Sequence, residues 1–202
     1  MIKNIVFDIG NVVMTFQPVQ YFMNYFHDEE KTKRLCTQVF TDDAWDRYDQ
    51  GILFMEDLKT HYAATYPQDK EDIMVILDNW LKLMQPIPEA FELMQKSVKE
   101  GYQVYLLSNI SQDSADFLKA TQPFFAYAHG AVLSYEEKVN KPDARIFETL
   151  LQRYGLKAEE TLFLDDNQPN ITAASKLGIH ALRVVSPQQM IEDTATILKE
   201  NL

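Results

Sequence analysis

Ile5-Val6-Phe7-Asp8 decides the fold: three strand-forming apolar residues, too few for a helix, run straight into an acid. Working outward, the same figure recurs. Tyr102-Gln103-Val104-Tyr105-Leu106-Leu107 stops at Ser108-Asn109, Thr161-Leu162-Phe163-Leu164 stops at Asp165-Asp166, and Ala181-Leu182-Arg183-Val184-Val185 stops at Ser186. Continuous apolar runs of this kind suit parallel strands buried on both faces. Helical patterns with legible ends lie between them. In Pro88 to Glu100, Phe91, Met94 and Val98 share a face, and Gly101 stands where a C-terminal cap belongs. Pro142 is placed to open a helix carrying Ile146, Leu150 and Tyr154 and closed by Gly155. Pro169 to Leu177 closes at Gly178, and Ser186-Pro187 opens the last helix. Strands alternating with helices predict right-handed βαβ units, hence an α/β, doubly wound parallel sheet.

Residues 17–85 break the alternation. Ile73, Ile76, Leu77, Trp80, Leu81 and Met84 follow helical spacing, as do Met55, Leu58 and Tyr62. This stretch reads as an all-helical insert between the first and second core strands, and Pro86 and Pro88 mark the return. The expected organisation is a core of residues 1–16 plus 86–202 and a helical domain of residues 17–85.

The 202 residues suffice for one generous domain or a core plus a smaller insert, and 46% hydrophobic against 24% charged residues is ordinary globular usage. With 19 Lys+Arg against 30 Asp+Glu the formal charge is -11, which argues against a surface built for nucleic acid or anionic lipid. A single cysteine, Cys36, can form neither an internal disulfide nor a cysteine-based zinc cluster and suits a reducing compartment. The N-terminal residues hold no signal-peptide core, and no apolar run approaches the ~20 residues of a membrane helix. The expectation is a soluble cytoplasmic protein with no membrane or nucleic-acid partner; its oligomeric state is not written in the sequence.

Three apolar runs end in polar groups, and in open α/β sheets the ligand crevice lies outside the carboxyl ends of the strands. Asp8, Ser108-Asn109 and Asp165-Asp166 can therefore converge, although each alone also reads as an ordinary turn or cap. Lys141, read as sitting at the start of the Pro142 helix, adds a positive charge where backbone N–H groups also favour an anion. Adjacent Asp165 and Asp166 repel each other unless a cation is shared.

Phe7-Asp8-Ile9-Gly10-Asn11-Val12, Leu107-Ser108-Asn109, Lys141-Pro142-Asp143 and Phe163-Leu164-Asp165-Asp166-Asn167, in this order, resemble the four motifs of the haloacid dehalogenase-like hydrolases over essentially the whole chain. The spelling is most similar to the branch of bacterial sugar-phosphate phosphatases that includes α-D-glucose-1-phosphate phosphatase. The resemblance implies a Rossmann-like catalytic core, a helical cap formed by the insert, and a Mg²⁺-dependent phosphatase acting on a small phosphorylated substrate. It implies Asp8 as the nucleophile that becomes phosphorylated, and Asp8, the Gly10 backbone carbonyl, Asp166 and Asp165 as metal ligands, Asp165 either directly or through water. It further implies Ser108, Asn109 and Lys141 around the phosphoryl group, with Lys141 also catalytic.

One position departs from that pattern. Most phosphatases of the family this chain resembles carry a second Asp two residues after the nucleophile, as proton donor and then base; here Gly10 stands there, as the resemblance implies it does in the sugar-phosphate phosphatase branch. A positioned acid–base group is worth roughly 10²–10⁴-fold in rate. Three readings remain open: easy leaving groups such as an anomeric hydroxyl, a donor from the insert (Asp46, Asp49 or His27), or a protein that binds a phospho-ligand and turns it over poorly. Dehalogenation through Asp8 without metal is a further alternative, disfavoured by the Asp165-Asp166 pair. Trp45-Asp46-Arg47-Tyr48-Asp49-Gln50-Gly51 is the part of the insert expected to face the site, with aromatic surfaces for a sugar ring and Arg47 for an anion. His61, His129 and His180 are read as structural.

Overall fold

In a computed structural model, which describes residues 1–200, β1 (Asn4–Phe7) is followed by helices α1 (Pro18–Phe26), α2 (Glu29–Phe40), α3 (Asp43–Asp49), α4 (Met55–Thr65) and α5 (Lys70–Asn79) and a 3₁₀ turn, Trp80–Leu83. The chain then returns through α6 (Pro88–Lys99), β2 (Gln103–Ser108), α7 (Gln112–Thr121), β3 (Gly130–Leu133), α8 (Ser134–Glu137) and α9 (Ala144–Tyr154). It closes with β4 (Thr161–Asp165), α10 (Gln168–Lys176), β5 (His180–Arg183) and α11 (Pro187–Glu200). Residues 201–202, the end of the expected core segment, lie outside the described residues. Among the described residues no helix is long and apolar enough to cross a membrane.

The five strands form one sheet in the order β3-β2-β1-β4-β5, all parallel, with Phe7 paired to Leu106 on one side and Leu164 on the other. Strand alternation explains why every central position is apolar. Ile5, Phe7, Val104, Leu106, Leu162 and Leu164 join one buried cluster, continuous with the inserted helices and α6. Val6, Tyr105, Leu107 and Phe163 face the other way, against Ile146, Phe147 and Leu150 of α9 and Ile171 and Ala174 of α10. The doubly wound parallel α/β fold is thus as expected from sequence.

The details differ from the sequence reading in four places. β3 was not foreseen, because its four residues include Gly130 and only Val132 and Leu133 are buried. β5 spans His180–Arg183 rather than residues 181–185 and is an exposed edge, so its side chains are not enclosed on both faces. The helix through Ile73 ends at Asn79, and Met84 lies beyond the 3₁₀ turn that follows. Pro142 is not helical: the Lys141–Pro142 peptide is cis, Asp143 caps the helix through Arg145 N–H, and α9 begins at Ala144.

The inserted helices join the sheet through a narrow neck. Thr15 N–H donates to the Gln85 carbonyl (2.8 Å) and Ile87 N–H to the Val13 carbonyl (2.9 Å), so the outgoing and returning chains run side by side. A Met14–Pro86 bridge lies between these bonds.

Candidate active site

β1 is the sheet's switch point, with β2 and β3 on one side and β4 and β5 on the other, and the carboxyl ends of β1 and β4 deliver Asp8 and Asp165 to one place. Lys141 is buried between them. Its Nζ donates to Asp8 Oδ1 at 2.8 Å, to Asp165 Oδ2 at 2.7 Å and to the Leu107 carbonyl at 3.0 Å, which uses all three ammonium donors. The correction to Pro142 matters here, because Lys141 serves the site as an ammonium and not as the edge of a helix N-terminus.

Lys141 is held in turn by Asn109. The Asn109 side chain accepts from Lys141 N–H (2.7 Å) and donates to the Lys141 carbonyl (2.9 Å). That amide, expected on the phosphoryl group, is therefore occupied. Ser108 is buried, and its hydroxyl reaches only the Asn109 carbonyl, at 3.4 Å. Asp165 is fully buried and saturated: besides Lys141 it accepts from Asn167 N–H and from the Asn170 side chain on both oxygens. Asp166 is half-buried and accepts from Asn11 Nδ2 at 3.0 Å. Asn11 and Asn170 are site residues that the sequence reading missed; each lies next to a named acid or one helical turn beyond it, the only signal available.

The charges do not balance. Carboxylate oxygens of Asp8, Asp165 and Asp166 lie within 4.8 Å of one another, and three carboxylates against one ammonium leave two negative charges uncompensated. Burial raises the Asp8 carboxyl to about 7, with Asp165 and Asp166 pushing the same way and Lys141 opposing. Burial also raises Asp166, relieved in part by Asn11. Burial pulls the Lys141 ammonium down, but Asp8 and Asp165 outweigh it and hold it above its ordinary value. The donors are all hard oxygens, the set that suits a divalent cation of the Mg²⁺ or Ca²⁺ kind. Gly10 lines the same cavity, and its carbonyl accepts no hydrogen bond among the described residues.

Gly10 does not need to be glycine. Its φ lies outside the left-handed region, which Asn11 occupies instead (φ 53°), and an added Cβ would meet nothing closer than Phe16 Cβ at 4.0 Å. Neither backbone conformation nor close packing therefore accounts for the glycine at this position.

Above the acids is a cavity of about 260 Å³, roofed by the insert. Phe16, Phe40, Trp45 and Trp80 pack edge to face in a chain with centroids 5.4, 4.6 and 4.9 Å apart, and their edges line it with Met84. The polar groups of the roof are Asp46 and Asp49 of α3. Arg47 and His27 are exposed and not part of the lining, which removes the anion role suggested for the first and the proton-donor role for the second. His61 pairs with Asp42, His129 accepts from Val104 N–H, and His180 is exposed on β5.

Comparison with known proteins agrees with this geometry. The family model "haloacid dehalogenase-like hydrolase" matches residues 2–178. A sesquiterpene phosphatase from Aspergillus oryzae is 21% identical, covering 90% of this chain and 89% of its own length. A D-ribitol-5-phosphate phosphatase from Bacteroides thetaiotaomicron is 25% identical over 98% of this chain and 99% of its own. A solved enzyme of the same family from B. thetaiotaomicron, in complex with magnesium and inorganic phosphate, superposes with a TM-score of 0.70 at 23% identity, covering 91% of this chain and 94% of the other. Haloacid dehalogenases also occur among the relatives. The chain belongs to the haloacid dehalogenase-like hydrolases and is an enzyme of that family.

Proposed function

We propose that this hydrolase is a Mg²⁺-dependent phosphatase of a small, uncharged-tailed phosphate monoester, a sugar or polyol phosphate, acting from residues 1–16 and 86–202 beneath a cap of residues 17–85. The observation that carries the reading is the charge imbalance: Asp8, Asp165 and Asp166 outnumber Lys141 by two charges in a buried, all-oxygen cluster.

Asp8, the Gly10 carbonyl and Asp166 would hold the ion, and Asp165, whose oxygens are saturated by Lys141, Asn167 and Asn170, would reach it through water. Bound there, Mg²⁺ supplies charge neutralisation that lets a carboxylate approach a phosphate dianion. Asp8 is the nucleophile: its free oxygen attacks phosphorus, the ester P–O bond breaks, and an aspartyl-phosphate forms. Ile9 N–H and Lys141, both on Asp8 Oδ1, leave Oδ2 for that attack. The Ser108 hydroxyl and the Asn109 N–H would donate hydrogen bonds to the phosphoryl oxygens, while Lys141 acts as a fixed charge anchored by Asn109. Water then cleaves the aspartyl-phosphate.

The roof supports the substrate class. Aromatic edges offer contact to the apolar faces of a sugar ring, and Asp46 and Asp49 accept hydrogen bonds from hydroxyl groups. A carboxylate or second phosphate on the tail would face these two acids. Dehalogenation of a haloacid needs no cation and leaves the acidic cluster uncompensated, so it is the weaker reading. The test is phosphate release from a panel of sugar, polyol and bisphosphate esters with Mg²⁺ or with chelator. Metal-dependent release from monophosphates, lost in Asp8→Asn, is expected; halide release from haloacids in chelator with no phosphatase activity would overturn the assignment.

A further inference from the structure

Gly10 leaves the reaction without a proton donor beside the nucleophile, and the insert brings two carboxyl groups, Asp46 and Asp49, to the same cavity. Asp49 is the last residue of α3 and lines the cavity together with Asp8 and Gly10. It is fixed from the sheet side by two contacts. Ser111 at the start of α7 gives its backbone N–H to the carboxyl group, and Ser134 Oγ, at the end of β3, donates to the Asp49 carbonyl at 2.6 Å. Neighbouring bonds hold the same helix down. The Asp46 carbonyl accepts from Asn140 Nδ2 (3.0 Å), the Gly51 carbonyl from Lys138 Nζ (2.8 Å), and Tyr48 donates to Asp113 (2.5 Å). The end of α3 is thus tied to the sheet side at several points, which is what a group that must meet a reacting atom requires.

We propose that Asp49 is the general acid and base of this enzyme, doing from the insert what a carboxyl group at position 10 does in other phosphatases of the family; the inference rests on the phosphatase reading above. As Asp8 Oδ2 bonds to phosphorus and the ester P–O bond breaks, the Asp49 carboxyl proton passes to the departing alkoxide oxygen, giving a neutral alcohol. In the second half-reaction the Asp49 carboxylate takes a proton from water, whose oxygen bonds to phosphorus as the Asp8–phosphorus bond breaks. Inorganic phosphate leaves and Asp49 is protonated again.

The environment keeps that proton available. Burial, then the Asp46 carboxylate one turn back on α3 and, more weakly, Asp8 raise Asp49 to about 8, while the Ser111 N–H works against them. Of the charged groups on the elements packed against it, Asp113 of α7 is engaged by Tyr48, Lys138 after α8 by the Gly51 carbonyl, Lys119 and Glu136 by each other and Glu137 by Arg153, while Asp116 is exposed. Asp46 also lines the cavity but is exposed, so it does not share this enclosure.

Asp49→Asn is tested in the full chain with Mg²⁺ on three esters: a primary-alcohol phosphate, an anomeric sugar phosphate and p-nitrophenyl phosphate. An alcohol leaves poorly without a proton, an anomeric hydroxyl less poorly, and nitrophenolate leaves unaided. The expected losses in kcat/KM are therefore roughly 10²–10³-fold, less, and within a few-fold. For p-nitrophenyl phosphate kcat still falls, and a burst of about one nitrophenolate per enzyme appears, because the base for the second step is gone. The wild-type loss of kcat/KM on the alcohol ester above about pH 8 disappears in the variant. Gly10→Asp added to Asp49→Asn restores alcohol-ester turnover, since nothing fills that flank of Gly10. Equal losses on all three esters, or none on the alcohol ester, would overturn the role of Asp49 while leaving the phosphatase intact. Full turnover by Asp8→Asn, or no hydrolysis by the wild type, would instead sink the parent reading.

Discussion

The floor of the cavity and its roof are built on opposite principles. On the floor every titratable group is locked by others: Lys141 spends three donors, Asp165 accepts four hydrogen bonds, and Asn109 clasps Lys141 by both its backbone groups. The roof is a run of aromatic edges with two acids and no basic side chain in its lining. On the proposed reading, a rigid, charged floor fixes what is done to a phosphoryl group whichever ester carries it. On the same reading, an apolar roof with hydroxyl acceptors would sort the esters. Selectivity on that reading belongs to the roof, which shares in the chemistry at one point, Asp49.

Changes on the floor should act on all substrates alike. The largest effect is expected from Asp8→Asn, which removes the attacking oxygen and should bring phosphate release to the detection limit on every ester. Lys141→Met strands buried Asp8 and Asp165, at a cost of about 3–5 kcal/mol in a metal-free melt. Because a divalent cation can take over part of that charge, Mg²⁺ should raise the melting temperature of the variant more than that of the wild type. A loss of stability that Mg²⁺ does not relieve would count against the ion's place in the cluster.

Changes where roof meets floor should be smaller. Gly51 has φ 62°, and a Cβ there would sit 2.8 Å from the Tyr135 carbonyl oxygen and 2.7 Å from Lys138 Nζ. Gly51→Ala should cost about 1–3 kcal/mol by strain, read by denaturant unfolding, and loosen α3 from the sheet. In the roof itself, Asp46→Asn removes a hydroxyl acceptor and should raise KM about 10-fold on polyol and sugar phosphates. It should leave p-nitrophenyl phosphate unchanged; the same shift on both would blur the division between the two regions.

A further effect concerns stability against pH. The Asp49 carboxyl lies at about 8 in the folded chain against an ordinary 3.8, so the folded state holds a proton that the unfolded state has lost. Stability from this group is full below the ordinary value and declines as pH rises from there to about 8. Asp49→Asn should remove that decline and gain in melting temperature on the wild type across this window. An opposite trend would show the carboxylate, not the acid, to be favoured by the fold.

The sheet and its polar strand ends were legible because burial on both faces leaves an unbroken apolar run that must stop where a ligand begins. Asp8, Ser108, Asp165 and Asp166 each follow such a run. β3 was not legible: Gly130 makes room for Tyr154, whose ring would meet a Cβ at 2.3 Å and whose hydroxyl bonds Ala131, so a packing need overrode strand propensity. Asn109 was placed near the phosphate although its side chain serves Lys141, because a motif names the residue and not the atom. Asn11 and Asn170 carry no periodic signal, since their partners are distant in sequence or set by a helix start. Of the insert, the helices could be read from spacing, but which edge of α3 turns downward could not. That depends on contacts from Ser111, Ser134, Lys138 and Asn140, none of them near it in sequence.

The neck at Val13–Thr15 and Gln85–Ile87 has a consequence for how such enzymes diversify. Since departure and return are adjacent backbone segments clipped together, the whole intervening stretch behaves as a graft: another helical bundle with an oily underside could be spliced between the same two points without altering any crossover of the sheet. A lineage could change diet by transplant, keeping its hydrolytic engine untouched. If Asp49 donates the proton, however, each transplant on a Gly10 background must bring its own acid along.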